Sequence, residues 1–245
     1  MLCGGSLKYP FCFLLMMIRA QRSAERGKAD YHWLSTRYSF SFADYYNPES
    51  MGFGKLRVLN DDVIDSGSGF PMHHHDNMEI VTIVLKGSLE HEDSMGNKGV
   101  IKAGEVQRMS AGSGVMHSEY NASASEKVEL LQVWVETQKL NLKPSYEQRK
   151  VDLVEDRFVE VVGSAKGALK INQDCKFYLG KFRKGLPLKQ KIPKGKGLYV
   201  FVIEGSLKMK DIVLEKRDAA GVSDEKEVEM TSLMNSYALG IEVSF

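Results

Sequence analysis

The chain has 245 residues, 43% hydrophobic and 27% charged, with 33 basic against 32 acidic side chains and a formal net charge of +1. Ordinary apolar content close to charge neutrality excludes a disordered chain. Without a basic excess, a protein that grips nucleic acid by bulk electrostatics is not expected either.

Taken from the N-terminus, the first feature is Phe11 to Ile18, an unbroken apolar run of eight residues. A bilayer span needs about 20. With Lys8 ahead of it the run imitates the core of a signal peptide. The simpler reading makes residues 1–16 an extension and starts the folded chain at residue 17. No later segment approaches membrane length, so no membrane partner is expected. The three cysteines, Cys3, Cys12 and Cys175, are odd in number and contain no CxxC pair. That does not suit a disulfide framework or a cysteine-type structural zinc site, and it fits a reducing compartment such as the cytoplasm.

From residue 17 onward no long helical period occurs. Short β-branched or aromatic runs recur instead: Leu56–Leu59, Glu79–Lys86, Val128–Val135, Leu198–Ile203 and Ile241–Phe245. Turn signals cut them at Asn60-Asp61-Asp62, Gly67-Ser68-Gly69, Gly96-Asn97 and Ala111-Gly112-Ser113-Gly114. That spacing predicts an all-β sandwich or barrel with few short helices. Residues 136–150 are polar, contain Pro144 and read as a linker. They divide the chain into an N-terminal domain, 17–135, and a C-terminal domain, 151–245.

The two halves echo each other. VTIVLKGSLEHED, ending at Asp93, aligns with YVFVIEGSLKMKD, ending at Asp211, at an offset of 118. Gly87-Ser88-Leu89 matches Gly205-Ser206-Leu207, and Ala103-Gly104 faintly matches Ala220-Gly221. A duplicated β-domain follows.

All six histidines, His32, His73, His74, His75, His91 and His117, precede residue 118. On a strand alternate residues share a face. His73 and His75 therefore point one way and His74 the other, and His117 and Glu119 repeat the same spacing. Two such pairs on neighbouring strands can converge on one point. Three neutral imidazoles and a carboxylate suit Fe(II), Mn, Ni, Cu, Co or Zn, with positions left open for water, dioxygen or substrate. His91 reads as a hydrogen-bonded strand residue near the site, and His32 receives no role. The C-terminal half has no histidine. At the repeat offset, Lys191 and Pro193 stand at the places of His73 and His75, with Met234 and Ser236 near those of His117 and Glu119. The second copy therefore lacks the site. Seven Lys or Arg and no acid lie between Lys181 and Lys196; they read as a solvated strand edge or as a docking surface for an acidic partner.

The spacing Gly67-x5-His73-x-His75-x3-Glu79, followed by Gly114-x2-His117-x3-Asn121, resembles the pirin family of the cupin superfamily. FPMHHHDNMEIVTIVLKGSLEHEDSMGNKG, AGEVQRMSAGSGVMHSEYN and the QVW at 132–134 carry the resemblance, which runs from about residue 17 to the end. It implies two tandem cupin-type β-sandwich barrels, a bicupin, with metal only in the first. The metal is usually iron, so Fe(II) is the expected cofactor. The ligands carry over as His73, His75, His117 and Glu119. His74 occupies a place that is usually proline. General cupins take their carboxylate ligand from the position of Glu79, whereas pirin-like proteins use that of Glu119. Glu119 is thus the expected ligand and candidate base, and Glu79 a neighbour that orients ligands or moves a proton. The resemblance implies cleavage of a flavonol such as quercetin by dioxygen with loss of carbon monoxide. The aromatics of Tyr38 to Phe42 and Tyr45-Tyr46 would line the mouth or pack in the core. The alternative is an iron-dependent, redox-responsive regulator that acts through a protein partner and not through DNA. A monomer is expected.

Overall fold

Two four-stranded sheets and two larger ones hold nearly all the regular structure of the computed structural model, which describes residues 17–245. The expected extension, 1–16, lies outside the described residues. The single helix among them is a 3-10 turn at Ser23–Glu25. No helix of the described residues is long and apolar enough to cross a membrane.

The front sandwich pairs a seven-stranded with a four-stranded sheet. In spatial order the large sheet runs Ser145–Lys150, Glu105–Ser110, Met78–Lys86, Val128–Glu136, Leu56–Ile64, Leu34–Tyr38 and Gly27–Asp30. The small sheet runs Gly69–His75, Val115–Asn121, Ser88–Asp93 and Lys98–Lys102. The back sandwich repeats this plan. Its large sheet runs Met17–Gln21, Ala219–Ser223, Lys196–Glu204, Ser236–Ser244, Lys176–Phe182 and Val159–Val162, and its small sheet Pro187–Lys191, Glu227–Ser232, Leu207–Met209 and Ile212–Leu214. The all-β bicupin plan holds, with each expected barrel opened into a pair of sheets.

Gly87 and Gly205 occupy the same corner of the two copies. Each joins a central large-sheet strand to the small sheet at φ +76° and +85°, the left-handed region that glycine enters without steric cost. The weaker echo does not correspond: Gly104 sits in a turn before Glu105–Ser110, whereas Gly221 lies inside Ala219–Ser223.

The edge strands cross between the copies. Met17–Gln21 precedes the front sandwich yet pairs with Ala219–Ser223 in the back one. Residues 136–150, read from sequence as a linker, contain Ser145–Lys150, which pairs along its length with Glu105–Ser110. Each crossing strand satisfies the backbone groups of what would otherwise be an open sheet edge.

The two large sheets pack face to face. Leu59, Val81, Leu131 and Val133 from the front meet Phe177, Tyr199, Phe201 and Leu239 from the back in one apolar cluster. At about 25 cal/mol per Å² of buried apolar surface, such a layer is the main force holding the sandwiches together. The front large sheet is therefore covered on both faces, and period-2 alternation sorts its side chains. Val81 and Ile83 join the layer between the sandwiches, while Ile80 and Val84 face the front interior. That interior is not continuously apolar. One cluster, around Ile64, Leu89 and Leu130, fills one end, and another, around Ile80, Met109 and Val115, fills the other. Between them lie buried polar groups: Asn60, Asp62, Thr82, Gln107, His91, His117, Glu119 and Gln132.

Three of the seven basic residues in the run are paired with acids. Arg183 bonds Asp156, Lys189 reaches Glu227 and Glu229, and Lys196 sits between Asp174 and Glu242. Pro187–Lys191 is an edge strand, which fits the reading as a lysine-protected edge.

Candidate metal centre

The histidine strand Gly69–His75 lies at the edge of the small sheet, paired with Val115–Asn121 so that His73 stands opposite His117. A register shift places one extra residue on the histidine strand between this pair and the next, Phe70 opposite Glu119. Pro71, which cannot donate to a ladder, falls in that shift, where sheets tolerate proline. Its carbonyl is free to accept a hydrogen bond from His73 Nδ1 at 2.7 Å, which leaves Nε2 with its lone pair. Gly69 lies against the Glu119 and Tyr120 backbone so closely that a Cβ there has no room.

Three rings close into a triangle. Centroid separations are 4.4 Å for His73–His117, 4.7 Å for His73–His75 and 4.8 Å for His75–His117. The ligating atoms of all three lie within 4.8 Å of one another. His117 is completely buried, and neither of its ring nitrogens has a hydrogen-bond partner. A buried, unpartnered polar group costs roughly 1–3 kcal/mol, so this ring is arranged for something other than the protein itself. Burial, with the neighbouring His73 and His91 rings, pushes His117 down to about 3. Burial, with His117 and His73, pushes His75 down to about 4. Both rings stay neutral near pH 7, the form that binds a metal. The residues present therefore fit a divalent transition ion.

His74 points away. It is exposed, with Asp76 3.8 Å from its Nδ1, as the alternation predicts.

Glu119 is buried and reaches across the sandwich. Thr82 Oγ1 donates to its Oε1 at 3.3 Å and Gln132 Nε2 to its Oε2 at 2.6 Å. Its carboxylate forms a second ligand-spaced group with His91 and His117. The four expected ligands are thus brought into one region as two overlapping triads that share His117. His91 was read only as a strand residue near the site, and the structure gives it a larger part. It is fully buried, its Nε2 bonds Asp93 Oδ2 at 3.1 Å, and Tyr146 stacks on it at 4.5 Å. Burial pulls the Asp93 carboxyl up, but hydrogen bonds involving Asn97, His91 and Met95 outweigh this and hold it below its ordinary range.

Glu79 is not brought to the cluster. It is three residues from Thr82 and so on the opposite face of the strand. Ser110 Oγ donates to it at 2.8 Å, and the Asn172 backbone and side-chain nitrogens at 3.1 and 3.3 Å. The orienting or proton-moving role expected of Glu79 gives way to a bond between the sandwiches.

Beside the triangle opens a cavity of about 360 Å³, within the range of small-molecule sites. His73, His75 and Glu119 are among its lining residues. Trp33 and Phe70 meet edge to face at 5.2 Å, as do Phe42 and Trp134, and Trp134 packs on His75 at 4.8 Å. Of the expected mouth aromatics, Tyr38 and Phe42 line the cavity. Phe40 turns into the layer between the sandwiches, and Tyr46 is 73% exposed. Thr82 and Gln132 escaped the sequence reading, although the QVW motif contains both Gln132 and Trp134.

In the back sandwich the inward positions of the matching strands carry Leu188, Val228 and Met230, all part of its apolar core. Met234 and Ser236, picked out by the repeat offset, lie beyond the strand Glu227–Ser232. No ligand set exists there among the described residues.

Residues 18–135 match the family model described as Pirin, and residues 162–243 match one described as the quercetinase C-terminal cupin domain. A quercetin 2,3-dioxygenase of Escherichia coli K12 is 39% identical over 224 residues, covering 91% of this chain and 97% of that protein. The chain belongs to the pirin family. Its pirin fold superposes on the structure of the bacterial pirin YhhW of Escherichia coli in complex with nickel(II), with a TM-score of 0.90 at 37% identity, over 93% of this chain and 99% of that one. The structure of a quercetin 2,3-dioxygenase from Acinetobacter baumannii, at 24% identity and a TM-score of 0.75 over 94% of this chain and 86% of that one, shares the fold.

Proposed function

We propose that this pirin is a metal-dependent quercetin 2,3-dioxygenase, with one ion held by His73, His75, His117 and Glu119. The observation that carries the reading is His117, buried with both nitrogens unpartnered, in a triangle of histidines of which His73 and His75 line an aromatic cavity. Fe(II) is the favoured ion, because dioxygen chemistry needs a redox-active centre and this nitrogen/oxygen set accepts one.

Such an ion supplies Lewis acidity toward a substrate hydroxyl and a route for electrons to dioxygen. The protein's own groups do the rest. Trp33, Phe42, Phe70 and Trp134 hold a flat ring system edge-on and face-on, and exclude water from it. Thr82 and Gln132 fix the Glu119 carboxylate in place. Glu119 Oε1, held by the longer of the two bonds, is the atom that takes the proton of a flavonol hydroxyl. Pro71 fixes the His73 ring through Nδ1. The flavonol is opened by dioxygen with release of carbon monoxide.

The test is direct. Metal-loaded protein is incubated with quercetin while oxygen uptake and loss of flavonol absorbance are followed. Turnover above the free-metal background supports the reading; its absence with Fe, Mn, Ni, Co and Cu each loaded in turn would overturn it.

A further inference from the structure

The cavity is lined by further polar groups that the metal centre does not use, on the two strands beyond that of Gln132. Asn60 and Asp62 lie two residues apart on one strand, facing the front interior, and Thr36 stands opposite Asp62 on the next strand. All three side chains line the cavity, and all are more than nine-tenths buried. Thr36 Oγ1, Asn60 Oδ1 and Asp62 Oδ1 make no hydrogen bond of normal length within the protein, although Thr36 faces Asp62 closely enough for its hydroxyl to favour the charged carboxylate. A weak Thr36–Asp62 contact leaves Asn60 Oδ1 and much of the capacity of the other two unused, which is costly in a buried site unless a ligand completes them.

Their position relative to the metal centre is set by the sheet. Gln132, which grips Glu119, is paired with Asn60, and the strand of Thr36 is the next one over. Strands are spaced about 4.8 Å apart, so the polar group begins about 5 Å from the Gln132 strand and ends about 10 Å from it. That is the reach of a flat molecule of two or three linked rings.

We propose that Thr36, Asn60 and Asp62 form a hydroxyl-recognition subsite that receives the far, hydroxylated ring of a polyphenol whose other end lies at the histidines and Glu119. Asn60 and Asp62 present acceptors on one face of one strand, suited to ring hydroxyls that donate. The Thr36 hydroxyl both donates and accepts. As a carboxylate Asp62 accepts from a phenol, and protonated it can also donate to one. This inference rests on the dioxygenase reading for the class of ligand, but not for its test.

Both tryptophans of the chain, Trp33 and Trp134, line the cavity, so intrinsic fluorescence reports occupancy without turnover. Metal-loaded wild type, N60L, D62L and the isosteric T36V are titrated with two flavonols, one with and one without hydroxyls on the pendant ring. Metal content is measured in each variant to show that the centre is intact. The wild type is expected to bind the hydroxylated flavonol roughly tenfold more tightly, the worth of one or two hydrogen bonds. In N60L and D62L the ratio falls toward one. T36V, which preserves shape, lowers it severalfold and covers a failure of either other variant to fold. An unchanged ratio in every folded variant, or no discrimination by the wild type, overturns the subsite. Turnover with an unchanged ratio sinks the subsite alone, and a ratio that collapses as expected without any turnover sinks the dioxygenase reading alone. Absence of quenching by both flavonols sinks both.

Discussion

Gln132 and Glu119 sit on opposite sheets of the front sandwich and meet through a 2.6 Å hydrogen bond. This bond ties the Glu119 carboxylate, carried by a small-sheet strand, to the large sheet that both sandwiches bury. Groups that orient a ligand in this way typically account for 10–100-fold in metal affinity. Gln132→Ala is expected to weaken metal binding by about that factor while leaving the fold intact. Competitive chelator titration of the loaded protein checks it.

His117→Ala removes the ring common to both triads and is expected to abolish metal binding. His74→Ala, on the exposed face, leaves the metal content near wild type. Elemental analysis of the two purified variants decides the matter, and loss of metal in the His74 variant would overturn the face assignment.

The two glutamates separate by phenotype. Glu119→Gln is expected to lose most of its metal. Glu79→Gln keeps the metal but disturbs the bonds to Ser110 and Asn172, at a cost of about 1–3 kcal/mol, because one acceptor becomes a donor in a buried network. Metal content and urea midpoints of the same two preparations test both statements.

Asp62 gives the metal-free protein an unusual pH response. Unfolded, it releases its proton near 3.8; folded, it keeps it to about 7. Between those values the native state holds the extra proton, so stability falls as pH rises and the loss is complete above about 7. Asp62→Asn removes this dependence. Relative to wild type the variant is expected to gain on the order of 2–3 kcal/mol between pH 5 and pH 8. Metal-free denaturation curves at the two pH values provide the measurement. The buried histidines act in the opposite sense. His75 and His117, at about 4 and about 3, destabilise the metal-free fold as pH drops below 6.5, where the unfolded chain takes up the protons.

Arg217 of the back sandwich reaches Asp61 of the front at 2.7 Å, and Arg26 holds the other carboxylate oxygen at 3.2 Å. Arg217→Ala leaves Asp61 and Arg26 as a pair and is expected to cost about 3 kcal/mol, the low end for removing one partner of a buried ion pair. A fall in the thermal midpoint without loss of bound metal would place the effect at the junction of the sandwiches.

The sequence by itself determined the features that depend on local period. Alternation within His73-His74-His75 and across His117-Ser118-Glu119 assigns the faces from neighbouring residues alone, and the Gly-Ser-Leu repeat shows the duplicated plan because its corner glycine adopts the same backbone at both places. Only the tertiary structure decided the rest. Glu79 sits in a central strand buried on both faces, where the apolar run from Ile80 to Leu85, broken only by Thr82, erases the alternation that would have revealed its side. The pairing of Gln132 with Glu119, the stacking of Tyr146 on His91 and the exchange of edge strands join residues far apart in the chain. Such contacts follow from how sheets pack and which edges need covering, and no spacing along one strand encodes them.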